Sequence, residues 1–335
     1  MRIAIDAMGG DHAPRSNVEG ALAALSSDSS LTVVLVGNEE AIKEHLPEKL
    51  PAGLEIRHAS EVIEADDEPV RAVRRKKDSS MVVCADMARK QEVDAAISAG
   101  NTGALMTAGL LITGRIEGIE RPALAALIPN IHGSVTLVLD VGANMDAKPV
   151  HLLQYAIMGS LYVEKVLGKS APRVGLLNVG TEEAKGNELS KAAFPLLKDA
   201  SINFIGNFEA RDVMEGVCDV LVCDGFSGNV LLKSIEGAAS TIFSQLKKEM
   251  TSSFLNKVAA AILKPSLVRF KNRMDYAEYG GAPLLGLRQP VIKAHGSSDA
   301  RAIKNAVLAA ARFAKLGVND LILQEVKWTT QTESE

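Results

Sequence analysis

A lysine held in a short glycine-bounded loop is the residue type best placed to do chemistry in this chain. Residues 174–188 read V-G-L-L-N-V-G-T-E-E-A-K-G-N-E. An apolar run of strand length gives way to turn residues from Asn178 to Gly186, and a helical pattern opens near Glu188. In an open parallel sheet such loops leave the carboxyl ends of strands, where backbone N–H groups and a helix N-terminus face an anion. The pattern predicts Lys185 over an anion-binding crevice.

Similar phrases recur, each an apolar run ending in Asp, Asn or Ser and then Gly: residues 3–11, 95–103, 137–144, 220–229 and 291–299. If these loops share one edge of one sheet, they form a single site. Their recurrence brings forward Asn101, Asn144, Asn187, Asn229 and Ser297, with Asp224 and His295 nearby in the pattern. For one asparagine alone, turn formation is the commoner role; repetition at the strand-end position is what points to phosphate binding without a covalent nucleophile.

Other chemistries find less support. No G-x-G-x-x-G occurs, and the nearest approach to a P-loop, residues 109–114 followed by Arg115, lacks the lysine. Gly225-Phe226-Ser227-Gly228 falls one residue short of G-x-S-x-G, which weakens Ser227 as a nucleophile. Asp6, Asp11 and His12 lack the paired-histidine spacing of a metal site and suit turns and caps. Neither a metal nor another cofactor is expected.

The elements that must position these loops read as alternating strands and helices. Strands are expected at 31–36, 54–58, 95–98, 123–128, 135–139, 203–205, 220–222 and 291–294. Helices are expected at 14–25, 39–46, 79–90, 104–112, 149–167, from 230, over 299–315 and onward to about 327. The 335 residues are 47% hydrophobic but only 4% aromatic, so the core must be packed from Ala, Val, Leu and Ile, as in a parallel sheet covered by helices. One large α/β unit over 1–327, with a polar tail at 328–335, fits this length.

A net charge of -4, from 37 basic and 41 acidic residues, speaks against a nucleic-acid partner. Three cysteines without a C-x-x-C pair suit a reducing cytoplasm. Asp6 interrupts the apolar N-terminus, so no signal peptide is expected, and no run approaches the ~20 apolar residues of a spanning helix. Two basic patches stand out. Arg71, Arg74 and Arg75 share a helical face beside Lys76 and Lys77, as a solvated helix or an acidic partner's docking patch. Residues 247–275 combine an apolar stripe of Phe254, Leu255, Val258, Ala259, Ile262 and Leu263 with Lys247, Lys248, Lys257, Lys264, Arg269, Lys271 and Arg273, against Glu249 and Asp275. Basic amphipathic helices of this kind lie in a membrane interface or pack on a second subunit.

Taken together, I-A-I-D-A-M-G-G-D-H-A-P, E-P-V-R-A-V-R-R-K-K, I-S-A-G-N-T-G-A-L-M, L-D-V-G-A-N, G-L-L-N-V-G-T-E-E-A-K-G-N-E, D-G-F-S-G-N-V and V-I-K-A-H-G-S-S-D closely resemble the bacterial PlsX family, in order, over residues 1–326. The resemblance implies a Rossmann-like, three-layer, mostly parallel sheet like that of isocitrate and isopropylmalate dehydrogenases, with residues 247–275 protruding as amphipathic helices. It implies a phosphate acyltransferase that makes fatty acyl phosphate from acyl-acyl-carrier protein and inorganic phosphate for phospholipid biosynthesis.

It further implies Lys185 and Asn229 at the reacting centre, with Asp6, Gly9, Gly10, Asn101, Thr102, Gly103, Asn144, Gly180, Thr181, Asn187, Asp224, Gly228, His295 and Ser297 binding phosphate or substrate. The implied partners are acyl carrier protein, a second copy of the chain and a membrane glycerol-3-phosphate acyltransferase of the PlsY type. The protein would be cytoplasmic and peripheral to the inner face of the cell membrane, with Phe254, Leu255, Val258 and Ile262 in contact with lipid. Open alternatives are a phosphate acyltransferase for short-chain acyl-coenzyme A, a nicotinamide-dependent dehydrogenase and a non-catalytic scaffold.

Overall fold

The computed structural model describes residues 1–273 and 279–332, with side chains over 1–270 and 279–326. Within the basic segment, Asp275 and the side chains of Lys271 and Arg273 lie outside the described residues, as does the end of the tail at 333–335.

The first part of the chain alternates as expected: β1 (Arg2–Asp6), α1 (Arg15–Ser27), β2 (Thr32–Gly37), α2 (Glu39–Lys43), β3 (Leu54–His58), α3 (Pro69–Arg75), α4 (Ser80–Arg89), β4 (Ala95–Ser98) and α5 (Thr102–Ala108). A hairpin of β5 (Ala123–Pro129) and β6 (Val135–Leu139) follows, then α6 (Pro149–Lys165), β7 (Arg173–Asn178), α7 (Glu188–Asp199), β8 (Asn203–Glu209) and β9 (Val220–Val222). The last part holds α8 (Gly225–Met250), α9 (Phe254–Arg273), β10 (Ala282–Leu285), β11 (Val291–Lys293), α10 (Ala300–Lys315) and α11 (Val318–Thr332). Several elements differ from the sequence reading: α2 ends at Lys43 rather than 46, α5 spans Thr102–Ala108 rather than 104–112, and β8 runs on to Glu209 rather than 205. α8 starts at Gly225 rather than 230, because the Asp224 carboxylate accepts from Ser227 N at 2.9 Å and caps the helix early. The strand β10 was not anticipated, and α11 carries its backbone past 327 to Thr332.

The strands form one mixed sheet in the order β3-β2-β1-β4-β11-β10-β5-β6-β9-β7-β8. All pairings are parallel except β11 with β10, β10 with β5 and β5 with β6. Three successive reversals make β6, β9, β7 and β8 run opposite to β1, β2, β3, β4 and β11. The expectation of a common edge is therefore corrected: loops after β1, β4 and β11 lie at one edge, and those after β6, β7 and β9 at the other. The short connection between β5 and β6 forces antiparallel pairing and inverts every strand added in parallel to β6.

Both faces of the sheet are covered. Ile3, Ile5, Val33, Leu35, Leu137 and Leu139 meet α1, α6 and α10 on one face, while Ala126, Ile128, Val138 and Leu221 join α4, α5 and the start of α8 on the other. Burial on both sides explains why β5 has no polar residue and no exposed position. No helix among the described residues is long and apolar enough to cross a membrane.

Candidate active site

A cavity of about 630 Å³ lies over the second face, between α8 and the strands, and reaches the loops at the first edge. That is the size and position expected of a small-molecule site in an α/β sheet. Its polar end is made by the loops after β1, β4 and β11, through Gly10, Asp11, Asn101, Thr102, Gly103, His295 and Gly296. Its apolar side is made by Ile63, Leu124, Ala126, Val141 and Leu232, and α8 adds Asn229, Lys233 and Glu236.

The first-edge loops are tied to each other from below. Asp6, at the end of β1, accepts from Ser80 Oγ and Ser98 Oγ, each at 2.6 Å, and from Met8 N at 3.3 Å. Burial raises its pKa above the usual carboxylate range, against these hydrogen bonds and Lys293. The Asn17 amide of α1 donates to Ala7 O at 3.0 Å and Gly9 O at 2.9 Å, holding the glycine turn. A Cβ on Gly9 would stand 2.6 Å from Asp6 Oδ2 and 2.7 Å from Gly100 N, so only glycine lets the two loops meet.

Several expected ligand residues are occupied by local hydrogen bonds. Asn101 caps α5 by accepting from Ala104 N at 3.0 Å, and its amide donates to Ala65 O at 3.0 Å and Asp67 O at 3.2 Å. Asn187 caps α7 at Ser190 N, 2.9 Å away, and Ser297 Oγ lies 2.8 Å from His295 Nδ1. Burial pulls His295 below its ordinary pKa. These are the local turn and capping bonds that Asn, Asp and Ser favour.

At the second edge, Asn144 and Gly228 meet Asp140, and Asp224 caps α8. The buried Asp140 carboxylate accepts from Leu124 N at 3.0 Å, Ala143 N at 2.9 Å, Asn144 N at 2.6 Å and Asn144 Nδ2 at 3.0 Å. Burial still leaves its pKa raised. Asn144 Nδ2 also donates to Pro122 O at 2.8 Å, so this side chain shapes its loop and does not line the cavity. Asn229 differs. It is half-buried, lines the cavity beside Gly142, and its amide has no hydrogen bond among the described residues.

Lys185, Gly180 and Thr181 share the loop after β7, apart from the cavity lining. Lys185 is exposed, its carbonyl accepts from Asn178 Nδ2 at 3.1 Å, and its Nζ has no partner among the described residues. The reversal across β5 and β6 is what separates this loop from the glycine turns after β1 and β4.

Two buried residues were not placed among the candidate site residues. Lys293, on β11, lines the cavity with 9% of its surface exposed. Its signal was present as a lone lysine inside the apolar run 291–294. Asp140 organises the second edge and was legible only as a strand-end aspartate. The three thiols offer no ready nucleophile: Cys84, Cys218 and Cys223 are buried, and burial raises all three pKa values, that of Cys218 to about 12.

Outside the cavity, α9 packs on α8 through Phe243 and Phe270, whose ring centroids are 6.0 Å apart. Phe254, Leu255 and Ile262 nevertheless keep 80%, 78% and 75% of their surface exposed, and Val258 is about half exposed.

The family described as "Fatty acid synthesis protein" matches residues 1–321. A curated "Phosphate acyltransferase" of Brevibacillus brevis (strain 47) is 70% identical over 335 residues and is matched over 100% of both chains. Another, from Bacillus pumilus (strain SAFR-032), is 57% identical over 334 residues, again over 100% of both. Among solved structures, a phosphotransacetylase from Streptococcus pyogenes superposes with a TM-score of 0.59 at 17% identity, over 94% of each chain. At that identity the likeness bears on the fold alone, an α/β architecture with a mostly parallel sheet.

Proposed function

Because the chain belongs to the PlsX family of phosphate acyltransferases, we propose that it transfers the fatty acyl group of an acyl-carrier-protein thioester directly to inorganic phosphate. A phosphate oxygen attacks the thioester carbonyl, the C–S bond breaks, and the carrier thiol leaves with a proton. The product, an acyl phosphate, serves a membrane glycerol-3-phosphate acyltransferase in phospholipid synthesis.

The observation that carries this reading is a cavity with a glycine-loop end, an aliphatic side and one uncommitted amide, Asn229, between them. Phosphate is already ionised near neutrality, so the protein must position it and stabilise the developing oxyanion rather than activate a side chain. Asn229 donates to that oxyanion or orients the phosphate. Lys185, free on its loop, offsets phosphate or transition-state charge when the acyl donor is engaged. The exposed apolar residues of α9, with Lys257 and Lys264, suit peripheral contact with an anionic membrane, and the same α8–α9 surface suits a second copy of the chain.

The test is phosphate-dependent loss of thioester from palmitoyl-acyl-carrier protein, beside palmitoyl-coenzyme A, with acyl phosphate trapped by hydroxylamine. Trapped product that requires phosphate and forms faster from the carrier protein supports the reading. Preference for coenzyme A would move the assignment to that donor, and carrier-protein binding without turnover would make the chain a scaffold.

A further inference from the structure

β11 is apolar except at its last residue. Val291 and Ile292 are buried among aliphatic side chains, and Lys293 follows them into the interior. Lysine is almost never buried so deeply without partners. Here Nζ donates to the carbonyl oxygens of Ala99, at 3.2 Å, and of Ala294. An ammonium has three protons, and the third has no acceptor among the described residues, at a position lining the cavity. Asp6 and Asp11 attract Lys293 through space without bonding to it, and Asp6 is already engaged by Ser80 and Ser98. Two carbonyls and two distant carboxylates leave a desolvated cation short of one close anionic contact.

We infer that Lys293 is the anion seat of the cavity and that its third proton binds a non-bridging oxygen of inorganic phosphate, the nucleophile of the proposed reaction. The inference rests on the reading of the chain as a phosphate acyltransferase and adds where phosphate is received: at the first edge, among the glycine turns after β1, β4 and β11. Burial pulls the Lys293 ammonium down to about 8, so an arriving phosphate dianion meets a cation at neutral pH and then holds the proton on it. Asp6 and Asp11 face this position from the β1 side, Glu64 from the segment before α3, Lys233 and Glu236 from α8, and His295 from the loop after β11. Lys233 and Glu236 pair with each other at 2.8 Å, and the depressed His295 stays neutral where Lys293 titrates.

The experiment is calorimetric titration of the full chain, without acyl donor, using inorganic phosphate and, separately, sulfate, whose charge does not change over the range used. Wild type, Lys293→Met and Lys293→Arg are compared, alongside KM for phosphate and for the acyl donor. Lys293→Met is expected to weaken phosphate binding by about tenfold or more, the worth of a charged hydrogen bond, with the acyl-donor KM nearly unchanged and partial recovery in Lys293→Arg. Sulfate affinity of the wild type is expected to fall as pH rises through about 8, and to stay flat in Lys293→Met. Unchanged anion affinity in a folded Lys293→Met protein overturns the inference. If that variant does not fold, a flat sulfate profile in the wild type does the same. No acyl phosphate from any thioester, with anion binding still dependent on Lys293, removes the reaction and leaves the seat. Turnover with an unaltered phosphate KM in Lys293→Met removes the seat and leaves the reaction.

Discussion

Asn229 and Lys293 show how differently two polar residues can be held at one cavity. Asn229 lacks bonds among the described residues and is free to meet a ligand, so Asn229→Ala is expected to cost little stability. Its turnover is expected to drop by about 10²–10³, the usual effect of removing an oxyanion donor; a kcat within twofold of wild type would exclude the role. Lys293 carries a stability signature of its own. Its folded pKa, about 8, lies below the 10.5 of a free lysine, so between those values the unfolded chain holds a proton that the folded chain has lost. Stability must then rise with pH across that window, by on the order of 3 kcal/mol at most. The unfolding free energy of the wild type minus that of Lys293→Met, followed by denaturant titration from neutral to alkaline pH, is expected to grow; a constant difference would show that Lys293 does not titrate there.

The elements around the cavity are set by close backbone approach as much as by side chains. α8 begins where β6 ends, and a Cβ on Gly228 would fall 1.9 Å from Asp140 O. Gly228→Ala must push the helix away from the strand. It is expected to destabilise the protein by about 1–3 kcal/mol, as overpacking does, readable as a lower thermal midpoint and as impaired turnover through displacement of Asn229. Most strands and helices were legible in the sequence, because continuous apolar runs bounded by Gly, Asn and Asp carry their own punctuation. β4, β6 and β9 begin and end where the pattern put them. Which edge a loop would occupy was much harder to read, since an apolar run has no arrow. The clue lay in residues 123–139, two runs joined by a tight turn, which can pair only antiparallel. β10 escaped notice because four residues beside a Gly-Gly turn leave too short a pattern. At the site, Asn101, Asn144 and Asn187 make capping and loop-closing hydrogen bonds, bonds that an asparagine in a turn commonly makes.

Taken as a whole, the molecule covers both faces of its sheet yet leaves apolar residues uncovered along α9. Phe254, Leu255 and Ile262 are among the most exposed large hydrophobic residues of the chain. Leu255→Glu, which adds charge of the wrong sign for an anionic surface, is expected to lower cosedimentation with phosphatidylglycerol vesicles several-fold without altering thermal stability. Vesicle binding equal to wild type would redirect that surface toward a second copy of the chain, to be sought by light scattering.

The reversal of strand direction also bears on the order of events in catalysis. The cavity draws its glycine turns from the β1 side of the reversal and Asn229 from the β6 side, so two reactants can be held together in it before any bond breaks. With all three thiols sealed in the core, no acyl group need be parked on the protein between substrates. Initial rates measured over a grid of thioester and phosphate concentrations should then give double-reciprocal lines that intersect, the pattern of a ternary complex, whereas parallel lines would mean that the acyl group had paused on the enzyme.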